Sequence, residues 1–268
     1  MKLSSQEHGV AAGQLFAAEQ ARSQIRLLTD QYPDMDMDDA YAIQAAWVNR
    51  KIESGDKVSG WKIGLTSKAM QSALSIDIPD SGVLLESMHF ESGAVIPADR
   101  FIQPRIEAEI AFVMKEPLSG ADLTDEQILA ATEYVVPALE ILDTRIFRKD
   151  PESGRLRTVL DTISDNAANA GIVLGEPVRD LDRWDLRWVG AIVTSNGEVE
   201  ETGLGAGVLN SPLRSVSWLV ERLTQYGDRI EAGQLVLSGS FIRPVEAGHG
   251  NKIVADFGAF GCIDCYFE

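Results

Sequence analysis

The chain has 268 residues, 45% hydrophobic and 24% charged, which is the mix of a folded globular protein with room for one large domain or a main domain and a small annex. Lys and Arg number 24 against 41 Asp and Glu, and the resulting net charge of −17 repels phosphate backbones and anionic lipid. Nucleic acid and membrane are thereby set aside as partners, and a small anionic substrate needs a local basic site or a metal.

Gln6 and Glu7 come early, no signal-peptide core precedes them, and no apolar run approaches the length of a membrane span. A cytosolic protein is expected. The two cysteines, Cys262 and Cys265, make no disulfide scaffold. Residues 8–29 carry Leu15, Ala18, Ile25 and Leu28 at the spacing of one buried helical face. Asp36 caps a second helix with the stripe Ala40, Ile43, Trp47 and Val48, closed by Gly55. These two helices predict an N-terminal helical annex over 1–57.

From Val58 the texture changes. Strand-like pieces follow at Gly60–Gly64, Ile106–Met114, Tyr134–Leu142, Leu186–Ser195, Gln234–Phe241, Lys252–Phe257 and Cys262–Phe267. Asn196-Gly197 signals a hairpin. Thr124 and Gln127 form a capping box, and Ser211-Pro212 opens a helix carrying Val216, Leu219 and Leu223. Strands without regular βαβ alternation predict an α+β fold, a mixed or antiparallel β core over 58–268 with peripheral helices.

The strongest chemical signal is Arg105-Ile106-Glu107-Ala108-Glu109-Ile110. Strand alternation puts Glu107 and Glu109 on one face and Ile106, Ala108 and Ile110 on the other. Two such carboxylates repel unless a cation or proton lies between them. Glu140 sits in the apolar run Val135–Leu142, where an ionised carboxylate is costly without a partner. Three carboxylates meeting at one point would suit Mg²⁺ or Mn²⁺; a solvated strand face is the alternative for the first two. In Gly60-Trp61-Lys62-Ile63-Gly64, Lys62 lies opposite Trp61 and Ile63, and near a metal it is a candidate acid/base. Pro79-Asp80-Ser81-Gly82 reads as a turn, so Asp80 matters only if it reaches the same pocket. Asp161–Gly171 is dense in small polar residues that cap helices or line a site. Arg145, Arg148, Lys149, Arg155 and Arg157 are five cations in a window where the chain average predicts about one. This excess suits carboxylate recognition or, equally, a loop paired with Asp150 and Glu152.

Other signals fail. Cys262 and Cys265 are spaced like a CxxC pair but face opposite sides of a strand, and no histidines stand at ligand spacing, so zinc is not expected. Asp34, Asp36 and Asp38 lack the glycine and glutamate of a calcium loop. The glycines at 203, 205 and 207 lack the end of a dinucleotide fingerprint.

Taken in order, G-W-K-I-G-L-T-S-K-A-M-Q, P-D-S-G-V-L, P-R-I-E-A-E-I-A-F-V, P-A-L-E-I-L-D-T-R, D-T-I-S-D-N-A-A-N-A-G, T-G-L-G-A-G-V-L-N-S-P and L-S-G-S-F-I-R-P resemble the 2-keto-4-pentenoate hydratase and 4-oxalocrotonate decarboxylase family of the fumarylacetoacetase-like superfamily. The resemblance covers nearly the whole chain, and Arg145–Gly171 likens it to members acting on a seven-carbon diacid. It implies a mixed β-roll of the fumarylacetoacetase C-terminal type, a homo-oligomer, and Mg²⁺ (Mn²⁺ as a substitute) on Glu107, Glu109 and Glu140. It also implies Lys62 and Asp80 as catalytic groups. The activity implied is addition of water to 2-oxohept-4-ene-1,7-dioate in aromatic catabolism; decarboxylation of 4-oxalocrotonate and hydration of 2-hydroxypenta-2,4-dienoate are the alternatives. Leu65, Ser164 and Ser240 are candidates for holding the C1 carboxylate, and Arg145 and Arg157 for the distal one.

Overall fold

Capping chemistry and apolar spacing place the helices, and a long central strand organises the rest. The structure is a computed structural model and describes residues 1–68, 71 and 78–268. Ala69 and Met70 of the stretch that begins at Gly60 lie outside the described residues.

Helix α1 (Ser5–Ala21) opens on a capping box between Ser4 and Glu7 and stops at Arg22, whose φ of 49° is left-handed. The helix expected to reach residue 29 therefore ends early. Ile25 instead forms a parallel bridge with Ile146, and Leu28 opens the short helix α2 (Leu28–Gln31). The apolar spacing marked burial, which continued after the backbone left the helix. Helix α3 (Met37–Glu53) starts on the Asp36 cap and buries Ala40, Ile43, Trp47 and Val48 as expected. Its apolar face joins Leu15 and Leu28 in one cluster with Val83, Leu85, Met88, Ile146 and Ile163.

Thirteen strands are described. The larger sheet holds β1 (Val58–Gly64), β2 (Asp80–Leu85), β3 (His89–Glu91), β5 (Arg105–Met114), β6 (Thr132–Leu142), β7 (Asn169–Leu174), β10 (Leu235–Leu237) and β11 (Val245–Glu246). Its order is β2-β1-β10-β5-β6-β7-β3, with β11 also on β5. The second sheet is β4 (Ala94–Ile96), β13 (Cys262–Phe267), β12 (Lys252–Asp256), β8 (Gly190–Ser195) and β9 (Glu198–Leu204), in that order. Three pairings are parallel, β1 with β10, β3 with β7 and β4 with β13; the rest are antiparallel. The mixed β core is thus observed. Between the sheets lies the main apolar cluster: Ile106, Ala108, Ile110 and Phe112 of β5 meet Val193, Ile253, Ala255 and Ile263. Val216 and Leu219 of the helix Pro212–Gln225 close it.

The structure departs from the sequence reading at several places. Pro79–Gly82 is not a free turn: Asp80 begins β2, paired along β1 with Gly64↔Asp80 and Lys62↔Gly82. Strands β3 and β4 escaped notice because three residues are too few to show alternation. Leu186–Ser195 is regular only from Gly190, and Gln234–Phe241 only over Leu235–Leu237. Cys262 is exposed and Cys265 buried, both free. No helix of the described residues is long and apolar enough to cross a membrane.

Candidate active site

Strand β5 is covered on both faces, so its even-numbered residues feed the core, and of its odd-numbered carboxylates Glu109 is buried and Glu107 half-buried. Antiparallel pairing with β6 sets Glu107 directly opposite Glu140, and Glu109 follows one pleat further along the same face. The carboxylates of Glu107, Glu109 and Glu140 each offer an oxygen within 4.8 Å of the other two. Glu109 and Glu140 are both 0% exposed.

Each carboxylate is aimed by backbone geometry. After Leu237 the chain leaves the ladder: Ser238 N–H still donates to Ile110 O at 3.1 Å and Phe241 N–H to Ala108 O at 2.9 Å. Between them Gly239, at φ 112°, turns its N–H to Glu109 Oε2 at 2.7 Å. A side chain here would suffer the left-handed φ and would place a Cβ 2.5 Å from Thr66 Oγ1. On the other flank, Asn169 Nδ2 donates to Glu140 Oε1 at 2.8 Å.

Lys62 enters from β1, where its neighbours Trp61 and Ile63 pack into apolar clusters. Its ammonium lies 3.2 Å from Glu140 Oε1 and donates to the Ala167 carbonyl at 3.1 Å. A Cβ on Gly64 would stand 2.2 Å from Asp80 Oδ1 and 3.0 Å from Lys62 Nζ. The bare glycine therefore leaves the space on which Asp80 and Lys62 converge.

Electrostatics follow from burial. Desolvation, reinforced by Glu140, pushes the Glu107 carboxyl up to about 8. Burial with Glu140 and Glu107 raises Glu109 well above the usual carboxylate range. Burial also raises Asp80, against the pull of Lys62. For Lys62 burial works downward, but Glu140, Asp80, Glu107 and Glu109 together hold the ammonium above its ordinary value. Glu109 Oε1, Glu140 Oε2 and Asp80 Oδ1 are buried without a hydrogen-bond partner. Buried polar atoms are ordinarily paired. Glu107, Glu109 and Glu140 converge, and the last two keep an unpaired buried oxygen; that is the donor set of a hard divalent cation, so the residues fit Mg²⁺ or Mn²⁺.

The remaining candidates separate. Ser164 is fully buried, and its Oγ has no partner. Leu65 has a left-handed φ of 55°, and its carbonyl accepts from Gln71 Nε2 at 2.7 Å. Ser240 donates its hydroxyl to Ile242 O at 2.8 Å and accepts from Ile242 N–H at 3.3 Å, so it closes its own turn. The basic cluster divides sharply. Arg148 pairs with Glu246 at 2.7 Å, Arg155 pairs with Asp30, and Asp150 and Glu152 pair with Arg26 rather than with their neighbours. Arg145, expected on a substrate carboxylate, is 2% exposed and commits its guanidinium to Asp165 and two backbone carbonyls. That corrects the expectation, because no N–H fork remains to receive a ligand. Arg157 keeps a buried Nη1 without a partner, and burial lowers its guanidinium to about 10.

Three groups were missed. Asn169 and the Ala167 carbonyl lay inside the polar stretch Asp161–Gly171, but nothing local told which of its amides turned inward. Arg105 shares the strand face of Glu107 and Glu109 and makes no ion pair among the described residues. The alternation that picked out the glutamates would have picked it out too.

No family model matches the chain. It is 50% identical over 260 residues to the 2-oxo-hept-4-ene-1,7-dioate hydratase of Escherichia coli, covering 97% of each chain. It is 38% identical over 266 residues to the 2-keto-4-pentenoate hydratase of Paraburkholderia xenovorans (strain LB400), covering 99% of this chain and 97% of that one. The solved structure of 4-oxalocrotonate decarboxylase from Pseudomonas putida G7, complexed with magnesium and adipate, superposes with a TM-score of 0.93 at 31% identity, covering 100% of this chain and 99% of that one. The expected β-roll of the fumarylacetoacetase type is the fold of this chain. With these relatives covering nearly its full length, the chain belongs to the 2-keto-4-pentenoate hydratase and 4-oxalocrotonate decarboxylase family.

Proposed function

We propose that the chain is a hydro-lyase that adds water to 2-oxohept-4-ene-1,7-dioate, or its dienol 2-hydroxyhepta-2,4-dienedioate, to give 4-hydroxy-2-oxoheptanedioate. This places it in aromatic catabolism through the homoprotocatechuate (4-hydroxyphenylacetate) meta-cleavage route. The observation that carries the reading is the convergence of Glu107, Glu109, Glu140, Lys62 and Asp80 in a chain half identical to a hydratase of that substrate. Glu107, Glu109 and Glu140 hold Mg²⁺. Bound there, the ion supplies Lewis acidity toward a 2-oxo acid. Lys62, held between Glu140 and the Ala167 carbonyl, carries the proton that moves along the dienol. Asp80, whose carboxyl is raised by burial, orients the water that adds at C4 and takes its proton. The Leu65 N–H and the Ser164 hydroxyl receive the C1 carboxylate in this reading, Ser164 with the better support because its Oγ is unpartnered. Ser240 is the weaker candidate, since its hydroxyl already serves Ile242. Arg157, with its free Nη1, receives the distal carboxylate.

Every one of these residues falls in the span 58–268 proposed as the catalytic core, with 1–57 as its helical annex. A cytoplasmic location, together with the homo-oligomer that the family resemblance implies, completes the reading; sedimentation of the purified protein tests the assembly.

A second reading is decarboxylation of 4-oxalocrotonate, favoured by the superposition on a decarboxylase holding a diacid. The same carboxylates and lysine serve it. Purified protein with Mg²⁺ and 2-hydroxyhepta-2,4-diene-1,7-dioate should lose dienol absorbance and yield a product heavier by one water. Absence of that product, with CO₂ released from 4-oxalocrotonate, would transfer the chain to the decarboxylase reading.

A further inference from the structure

Asn166, Ala167 and Ala168 are three consecutive non-glycine residues with φ of 51°, 50° and 63°. All three are buried, at 0%, 3% and 2% exposure. L residues avoid this left-handed region, and a run of them persists only where the surroundings over-determine it.

Asp143 N–H donates to Ala168 O at 2.9 Å, and two side chains hold the rest of the run. Arg145 straddles the run. Its Nη2 donates to Asp165 O at 2.6 Å on one side, and Nη1 and Nη2 donate to Asn169 O at 3.2 and 3.3 Å on the other. Its Nε meets the Asp165 carboxylate, its own N–H donates to Asp165 Oδ2 at 2.8 Å, and its guanidinium lies 5.2 Å from the Trp47 ring centroid. Asn166 fastens the run to β2. It accepts from Val83 N–H at 2.8 Å and donates from Nδ2 to Val83 O at 2.9 Å, so its amide stands in for a neighbouring strand. Gly82 makes this approach possible, since a Cβ there would lie 2.7 Å from Asn166 O and 3.1 Å from Lys62 Cγ.

The arch so held presents two groups to the site. Ala167 O takes the Lys62 ammonium at 3.1 Å, and Asn169 Nδ2 takes Glu140 Oε1 at 2.8 Å. Without the arch, Glu140 would be the one remaining partner of Lys62 among the described residues, and the ammonium would settle on a carboxylate needed elsewhere.

We infer that Arg145 and Asn166 are positioning residues: they clamp a left-handed arch that sets the aim of Lys62 and Glu140. The inference rests on the roles given to those two residues under the proposed function.

The test uses the full chain with Asn166→Ala and Arg145→Lys, each assayed on the seven-carbon dienedioate and on 2-hydroxypenta-2,4-dienoate, with Mg²⁺ binding followed by calorimetry. Loss of an outer partner of this kind lowers activity or metal affinity about 10–100-fold. The expected pattern is a kcat fall of that size on both substrates, KM nearly unchanged, and weaker Mg²⁺ binding. Unchanged kcat on both substrates, with KM raised for the diacid alone in Arg145→Lys, would return Arg145 to the distal carboxylate and overturn the inference. Should a variant melt below the assay temperature, hydrogen exchange on the unaltered protein decides: the Val83 amide should exchange with the slow core, and rapid exchange overturns the clamp. An unaltered protein inactive on both substrates, whose variants still bind Mg²⁺ more weakly, would remove the proposed function and leave the clamp standing.

Discussion

Glu109→Gln separates the two consequences of crowding three carboxylates, because it should strengthen the metal-free fold while weakening the metal site. The three carboxylates offer oxygens within 4.8 Å of one another. Two unit charges at that separation repel by roughly 3.5 kcal/mol at an effective dielectric constant of about 20. Burial and this repulsion raise both Glu109 and Glu107, so that each holds its proton more tightly and only part of that energy is present to be relieved. Glutamine keeps the acceptor for Gly239 N–H and turns an NH₂ toward the other carboxylates. The metal-free variant should therefore gain about 1–2 kcal/mol, or roughly 2–8 °C in Tm for a domain of this size. The loss of one charged ligand should lower Mg²⁺ affinity at least about 100-fold, which corresponds to roughly 2.7 kcal/mol. Thermal melts in chelator and in Mg²⁺, calorimetric titration and dienol absorbance measure the three quantities on one preparation. Near-normal Mg²⁺-dependent turnover would refute the ligand assignment. A chelated variant less stable than the unaltered protein would refute the reasoning about mutual repulsion.

Three further outcomes are expected. Lys62→Ala should retain Mg²⁺ binding in calorimetry but lose turnover by about 10²–10⁴-fold, the range for removal of a positioned acid/base; retained turnover would take the proton from Lys62. Arg157→Ala removes a charged hydrogen bond worth about 1.5–3 kcal/mol, so kcat/KM for the seven-carbon diacid should fall roughly 10–100-fold while the five-carbon monoacid is spared; equal losses would detach Arg157 from the distal carboxylate. The third concerns pH. The folded-state carboxyl of Glu107, raised by burial and Glu140 from its ordinary 4.5 to about 8, binds protons more tightly than the unfolded one. Its contribution to stability is present below pH 4.5 and is lost as pH rises through about 8, so melts in chelator should decline across that window and Mg²⁺ should flatten the decline. A chelated protein equally stable at both ends would contradict the burial argument.

Periodicity and capping were legible in the amino-acid order because they depend on backbone geometry within a few residues. Asp36, Thr124 and Ser211 begin helices where their side chains can cap them. The alternation of Arg105–Ile110 placed Glu107 and Glu109 on one face and three apolar residues on the other. The tertiary structure decided what each face meets. Glu140 joins the pair because β6 pairs with β5 in the register that opposes it to Glu107. Asp80 joins Lys62 because the stretch read as a turn is the first residue of a strand beside β1. The five clustered cations looked alike in order, but burial sorted them. Arg145 is sealed with Asp165, Arg148 and Arg155 are paired with acids far along the chain, and Arg157 keeps a free donor. Local order states which charges exist; the partners that neutralise them are chosen by strand register and packing across long stretches of chain, where a short window of sequence holds no information.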